Sequence, residues 1–183
     1  MRIAIIGPQN TGKSTFLQDL LVAFPHYATP KLTYRDVVKR GNLQINQKTT
    51  EESQRAIRDF LYEQISTNAE KDILFDRCVI DNYIYTKAGC EISNEFLKET
   101  GEMMYRHLDC LDALFFIPTT VAVKLEHDGT RDIDVSYLDK INRLFIETLF
   151  EIIKKTELPI HLVSGTRKER VDQAMKFLNE PNP

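Results

Sequence analysis

Near the amino terminus, the run GPQNTGKST places Gly7, Gly12, Lys13 and Ser14 in the pattern G-x-x-x-x-G-K-[ST], directly after the apolar run Ile3–Ile6. A phosphate chain is a dense anion. Glycines let the backbone curl so that successive N–H groups face inward, and a following helix adds its positive end. The loop residues Gly7, Gln9, Asn10, Thr11, Gly12, Lys13, Ser14 and Thr15 are therefore expected to bind a nucleotide. Lys13 would reach the β- and γ-phosphates, and Ser14 would offer its hydroxyl to Mg²⁺.

Three further groups carry chemistry. Asp76 and Arg77 follow the apolar run Ile73-Leu74-Phe75. A carboxylate at the end of a strand beside a phosphate loop can hold Mg²⁺ through water, or take the proton of an attacking hydroxyl; both roles stand open. Arg77 would bind an acceptor or the transferring phosphoryl group, and Asp81, five residues beyond Asp76, a sugar hydroxyl. Asp128-Gly129-Thr130-Arg131 has a glycine hinge beside an arginine, the composition of a lid that closes positive charge onto a phosphoryl group. Gly165 and Thr166 follow the last strand-like run, where backbone groups can meet the edge of a base. Lys31, Arg35 and Lys39 recur at intervals of four and form one basic stripe if helical, which Arg55 and Arg58 would extend.

The elements that must position these residues alternate. Strands are expected at Arg2–Ile6, Ile73–Phe75, Ala113–Ile117 and Pro159–Val163, with a weaker one around Tyr27–Leu32. Helices are expected from Lys13 to Phe24, after a Thr49–Glu52 capping box, from Val135 to Ile153, and after Thr166 with Glu169. Strands alternating with helices predict an α/β fold, a mostly parallel sheet covered on both faces, with ligands at the carboxyl ends of the strands. The 183 residues suit one domain, 1–183, with a lid around 119–134. The net charge of −3 gives no global pull toward nucleic acid. Cys78, Cys90 and Cys110 lack metal-ligand spacing and read as free thiols of a reducing compartment. With no membrane-length apolar run and no signal-peptide pattern, the expected location is cytoplasmic.

Taken in order, GPQNTGKST, LFDRCVIDNYIY, DGTR and VSGTRKERV resemble the P-loop kinases grouped around the ribosylnicotinamide kinases, within the nucleoside- and nucleotide-kinase class. The resemblance runs from the first strand to the last helix. It implies a three-layer fold with a five-stranded parallel sheet in which the Asp-Arg strand lies next to the phosphate-loop strand. It implies ATP and Mg²⁺ as cofactors, phosphate binding by Lys13, metal or base duty for Asp76, lid duty for Arg131, and an adenine-side turn at Gly165-Thr166. Ribosylnicotinamide kinases carry an acidic residue three positions before an arginine after the second strand; here the arginine is Arg35 and Leu32 stands at the acidic position. The expected substrate-binding set is Arg35, Arg77 and Asp81, and the expected acceptor is a nucleoside-like or nucleotide-like molecule. Two alternatives remain. One is a kinase acting on hydroxymethyluridine in DNA, as a virus-encoded relative does, for which the basic stripe would serve. The other is a regulatory P-loop ATPase without a second substrate.

Overall fold

The computed structural model describes residues 1–119 and 135–179. Its elements are β1 (Arg2–Ile6), α1 (Lys13–Ala23), α2 (Tyr34–Gly41), α3 (Glu51–Thr67), β2 (Ile73–Asp76), α4 (Val79–Ala88), α5 (Asn94–Leu108), β3 (Ala113–Phe116), α6 (Val135–Lys155), β4 (Ile160–Leu162) and α7 (Arg167–Asn179). A short 3-10 turn, Asn46–Lys48, precedes α3. The strands form one parallel sheet in the order β2-β1-β3-β4.

Alternation along the strands builds two cores. On β1, Ala4 and Ile6 face the cluster that holds α3, α4, α5 and α6, while Ile3 and Ile5 face the one that holds α1 and α7. Both faces of the sheet are thus covered, as the apolar strand sequences require. The central register, Ile5 opposite Asp76 on one side and Phe115 on the other, brings the carboxyl ends of β2, β1 and β3 level. That edge carries the phosphate loop.

Four strands stand among the described residues where five were expected. The fifth is reduced to one bridge: Ala28 pairs in parallel with Ile73, its N–H donating to the Asp72 carbonyl at 2.9 Å and its carbonyl accepting from Leu74 at 2.9 Å. Pro30, two residues on, has no N–H and restricts Thr29, so the ladder stops there. Three more differences are local. The cap of α3 is Thr50, whose hydroxyl accepts from the Ser53 N–H, one residue beyond the predicted Thr49. The sequence pattern did not predict α5. On α6, Val135 and Ile153 are exposed, while Tyr137 and Thr148 take core positions. Among the described residues, no helix is long and apolar enough to cross a membrane.

Candidate active site

The loop between β1 and α1 wraps around its own polar groups. Gly7, at φ +141°, lies so close to the end of β3 that a Cβ would sit 2.2 Å from the Ile117 carbonyl oxygen. Gly12, at φ +83°, is the left-handed residue that starts α1. Lys13 is 5% exposed. Its ammonium donates to the Pro8 carbonyl and, at 3.3 Å, to Thr11 Oγ1, which itself donates to Pro8 O at 2.9 Å. Burial, with Arg77 nearby, holds the Lys13 pKa well below its ordinary value, and Asp81 and Asp76 only partly offset this. An anion in the loop would supply the missing countercharge. Gln9 is held by Tyr85: its N–H donates to the phenol oxygen at 3.0 Å. Asn10, at φ +64°, has a buried side-chain amide with no hydrogen-bond partner.

Asp76 ends β2 against this loop. Its Oδ2 accepts from Ser14 Oγ at 2.7 Å, and its Oδ1 is buried with no hydrogen-bond partner. An unpartnered buried carboxylate oxygen beside a hydroxyl fits Mg²⁺, which takes one or two protein oxygens and fills its octahedron with water and phosphate. No cluster of three or more metal-ligating side chains occurs among the described residues, and Mg²⁺ bound in this way needs none.

Arg77 has φ +81° and is buried. Its Nη1 donates to Asp81 Oδ1 at 3.0 Å, and its guanidinium lies over the rings of Tyr34 and Tyr85 at 4.8 and 5.5 Å. Asp81 is 1% exposed. Its Oδ1 also accepts from the Gly7 N–H at 3.3 Å, and its Oδ2 from the Cys78 N–H at 3.1 Å. Burial pushes the Asp81 carboxyl up, and Arg77 and Lys13 pull it back. Both oxygens are therefore engaged inside the protein. Where the sequence suggested a ligand for a sugar hydroxyl, the geometry gives an internal anion that ties Arg77 to the phosphate loop. Burial alone would raise the Tyr34 phenol, but Arg77 and Arg35 more than offset it and the net shift is downward; Tyr85 is pushed up to about 12 by burial.

Two cavities open on this side and share Tyr34. The first, small at about 40 Å³, has Ile45, Ile57 and Leu61 on its apolar side and Arg77, Asp81 and Asn82 on its polar side. The second, of about 380 Å³, runs from Ser14 and Asp76 to Lys31 and Arg35. Behind the first, Asn82 Nδ2 donates to Gln54 O at 2.9 Å and to Gln54 Oε1 at 2.8 Å, while Gln54 Nε2 donates to Thr49 Oγ1. A third cavity, on the other side of the loop, joins Asn10, Thr11, Gly12 and Thr15 to Gly165, Arg167 and Arg170. Arg170 donates from Nη1 to Thr11 O at 2.7 Å and from Nε to Gly165 O at 2.9 Å, bracing the phosphate loop against the last turn. Thr166 is occupied with Glu169, its N–H and hydroxyl donating to Oε2 at 2.7 and 2.8 Å.

The structure thus brings together Lys13, Ser14, Asp76, Arg77 and Asp81, with Arg35 at the second cavity and Gly165 at the third. The lid expected around 119–134, with Arg131, lies outside the described residues beyond Thr119. Sequence reasoning missed Tyr34, Gln54, Asn82, Tyr85 and Arg170. Arg170 had a signal, an arginine one turn into the helix that follows the Gly165 turn; Gln54 and Asn82 had none. The basic stripe is shorter than expected. Lys31 precedes α2, Arg55 pairs with Glu51 and Glu99, and Arg58 pairs with Asp59 and Glu99.

Comparison with known proteins bears on the fold. A family described as "AAA domain" matches residues 2–170. Among solved structures, a deoxyadenosine kinase from M. mycoides with dCMP and dCDP bound superposes with a TM-score of 0.76 at 17% identity, covering 99% of this chain and 100% of that one. NadR in complex with NR gives 0.71 at 15% identity over 99% of this chain and 52% of the NadR chain. Thymidylate kinase from Candida albicans gives 0.65 at 17% identity, covering 96% and 89%. No curated protein matches the sequence. The likeness supports the three-layer P-loop fold shared with nucleoside and nucleotide kinases.

Proposed function

The chain belongs to the AAA domain family, and from that premise we propose that it is an ATP-dependent phosphotransferase whose acceptor is a small nucleoside-like or nucleotide-like molecule. The observation that carries this reading is the position of Asp76: hydrogen-bonded to Ser14 on the phosphate-loop side, it lines a cavity that leads away from the loop toward Lys31 and Arg35. A nucleotide switch needs the loop. It does not need a cavity on the far side of the reacting phosphate.

In this proposal the Gly7–Thr15 loop, Lys13 above all, binds the ATP phosphates, and Gly165 and Thr166 lie on the adenine side. Ser14 and Asp76 would hold Mg²⁺, which would supply positive charge to the phosphate oxygens. The acceptor lies in the cavity lined by Asp76 and Tyr34, with its reacting hydroxyl or phosphate toward Asp76, where the carboxylate either takes the proton or positions the metal. Arg77 and Asp81 hold the cavity wall, Arg35 supplies positive charge at the second cavity, and Arg131 in the lid segment brings a further charge onto the transferring group. Small-molecule transfer is preferred to a DNA acceptor because Arg55 and Arg58 are already neutralised by acidic partners.

The family description also suits an ATPase without a second substrate. ADP release is therefore to be measured with ATP and Mg²⁺ alone and with panels of nucleosides, nucleotides and duplex oligonucleotides. Release that rises at least tenfold with one small acceptor, with the phosphorylated acceptor found by mass spectrometry, is the expected result. Release at one rate whatever is added would identify an ATPase and remove the acceptor.

A further inference from the structure

The first turn of α7 carries three cations, and the fold uses them differently. Arg167 pairs with Asp19, and Lys168 with Asp172. Arg170 belongs to no ion pair among the described residues. Its guanidinium donates to two backbone carbonyls instead, from Nη1 to Thr11 O at 2.7 Å and from Nε to Gly165 O at 2.9 Å. Burial lowers its pKa, and no carboxylate offsets the shift. Partial burial of a cation costs solvation, and here no countercharge returns it.

What Arg170 holds is the peptide between Thr11 and Gly12. That peptide is trans, so its C=O and N–H point in opposite directions. Fixing the Thr11 carbonyl toward α7 therefore fixes the Gly12 N–H away from α7. The local chain sets this direction only weakly, because Gly12 sits at φ +83°, a region that glycine enters and leaves with little cost. A side chain at position 12 would also crowd the brace: a Cβ would lie 3.2 Å from Arg170 Nη1. The same guanidinium holds the Gly165 turn. Loop and turn, which both line a cavity of about 260 Å³, are thus kept at one separation.

We propose that Arg170 is a positioning residue for the nucleotide's phosphates: by holding the Thr11 and Gly165 carbonyls together, it keeps the Gly12 N–H aimed into the phosphate loop. This inference rests on the reading of Gly7–Thr15 as a phosphate site, and it adds the residue that orients one of the loop's donors from outside. Arg170 acts through the Thr11–Gly12 peptide and not by touching the ligand. A peptide free to turn would present the Thr11 carbonyl, a partial negative charge, to the phosphates. Arginine suits the task because its planar fork spans two acceptors in fixed geometry, which the point charge of a lysine does not.

The test compares Arg170→Met, which loses charge and fork, with Arg170→Lys, which keeps the charge alone. ATP, ADP and inorganic tripolyphosphate are titrated with Mg²⁺ against each variant and the parent, with a melting curve on every preparation. Both variants should bind all three ligands more weakly, by about tenfold or more and by similar factors, with melting temperatures near that of the parent. Parent-like binding by Arg170→Lys overturns the inference, since charge alone would then suffice. Loss of ATP and ADP with tripolyphosphate unaffected overturns it too, because Arg170 would then act on the base side. So does parent-like binding by both variants, or a loss that only tracks the fraction unfolded. Should neither variant fold, nitrogen-15 labelling of the parent decides. The Arg170 Nε–H should exchange slowly and the Gly12 amide should shift on adding tripolyphosphate; fast exchange or an unmoved Gly12 amide overturns the inference. A parent that binds none of the three ligands removes the phosphate-loop reading beneath it.

Discussion

The two sides of Asp76 are built from different materials. On the proposed phosphate side the loop is shaped by backbone, set by Gly7 and Gly12 and braced by Arg170 through the carbonyls of Thr11 and Gly165. On the proposed acceptor side the groups are side chains from separate segments: Tyr34, Gln54, the trio Arg77, Asp81 and Asn82, and Tyr85, tied by a buried ion pair and an amide chain. Backbone cradles tolerate change in the side chains around them and depend on glycine. Side-chain cavities depend on each partner, because removing one strands the next in a medium that solvates it poorly. The two sides meet at Asp81, which accepts from the Gly7 N–H and from Arg77.

The sharpest contrast is in stability. Arg77→Met strands Asp81 in the interior and should destabilise the protein by about 3–5 kcal/mol in a denaturant titration, whereas Arg77→Met combined with Asp81→Leu should recover much of the loss. A single variant as stable as the parent would mean that the acceptor side is not held by this pair. Lys13→Ala should behave in the opposite way. It removes a desolvated ammonium, so its melting temperature should hold or rise, while turnover falls by about 10²–10³-fold, the loss typical of one removed charge-stabilising donor. Turnover unchanged by this variant would sink the phosphate-loop assignment.

That contrast in materials also decides what was legible beforehand. Gly7, Gly12, Lys13 and Ser14 were readable because a backbone cradle imposes residue types at fixed spacing. Asp76 was readable as the polar end of an apolar strand. Gln54 and Asn82 lie 28 positions apart and carry no local pattern; only the packing of α3 on α4 brings them together. Helix α5 escaped because its buried face, Phe96, Thr100, Met104, His107 and Leu108, includes two polar residues. The weak strand at Tyr27–Leu32 contracted to the Ala28 bridge because a proline follows it. Asp81 and Arg77 stand out in the sequence as charged residues after an apolar strand, but charge alone does not tell a ligand contact from an internal pair.

A remote residue sets the acid limit for any comparison of the two sides. His107 is buried beside Tyr62, neither ring nitrogen has a partner, and burial, with Arg2, lowers its pKa from 6.5 to about 4. Above pH 6.5 the imidazole is neutral folded and unfolded, and it costs nothing. As the pH falls from 6.5 toward 4 the unfolded chain takes up the proton first, so stability declines through that window and levels off below it. His107→Leu should flatten this part of the stability profile; a profile identical to the parent would place the acid sensitivity elsewhere. The smallest expected effect belongs to the basic surface. Changing Lys31, Arg35 and Lys39 together to Ala should weaken acceptor binding scarcely more than Arg35→Ala alone. A DNA acceptor would instead give a salt slope of roughly −0.9 per phosphate contacted on duplex DNA, made shallower by the triple change.

The central claim is that Asp76 stands between a bound nucleotide and a second substrate. It is tested most directly by Asp76→Asn, with ATP affinity measured by titration and acceptor-dependent turnover measured across pH on the same preparation. The account predicts that ATP still binds while turnover drops by about 100-fold or more. Turnover near the parent value at every pH, with ATP bound as before, would contradict it.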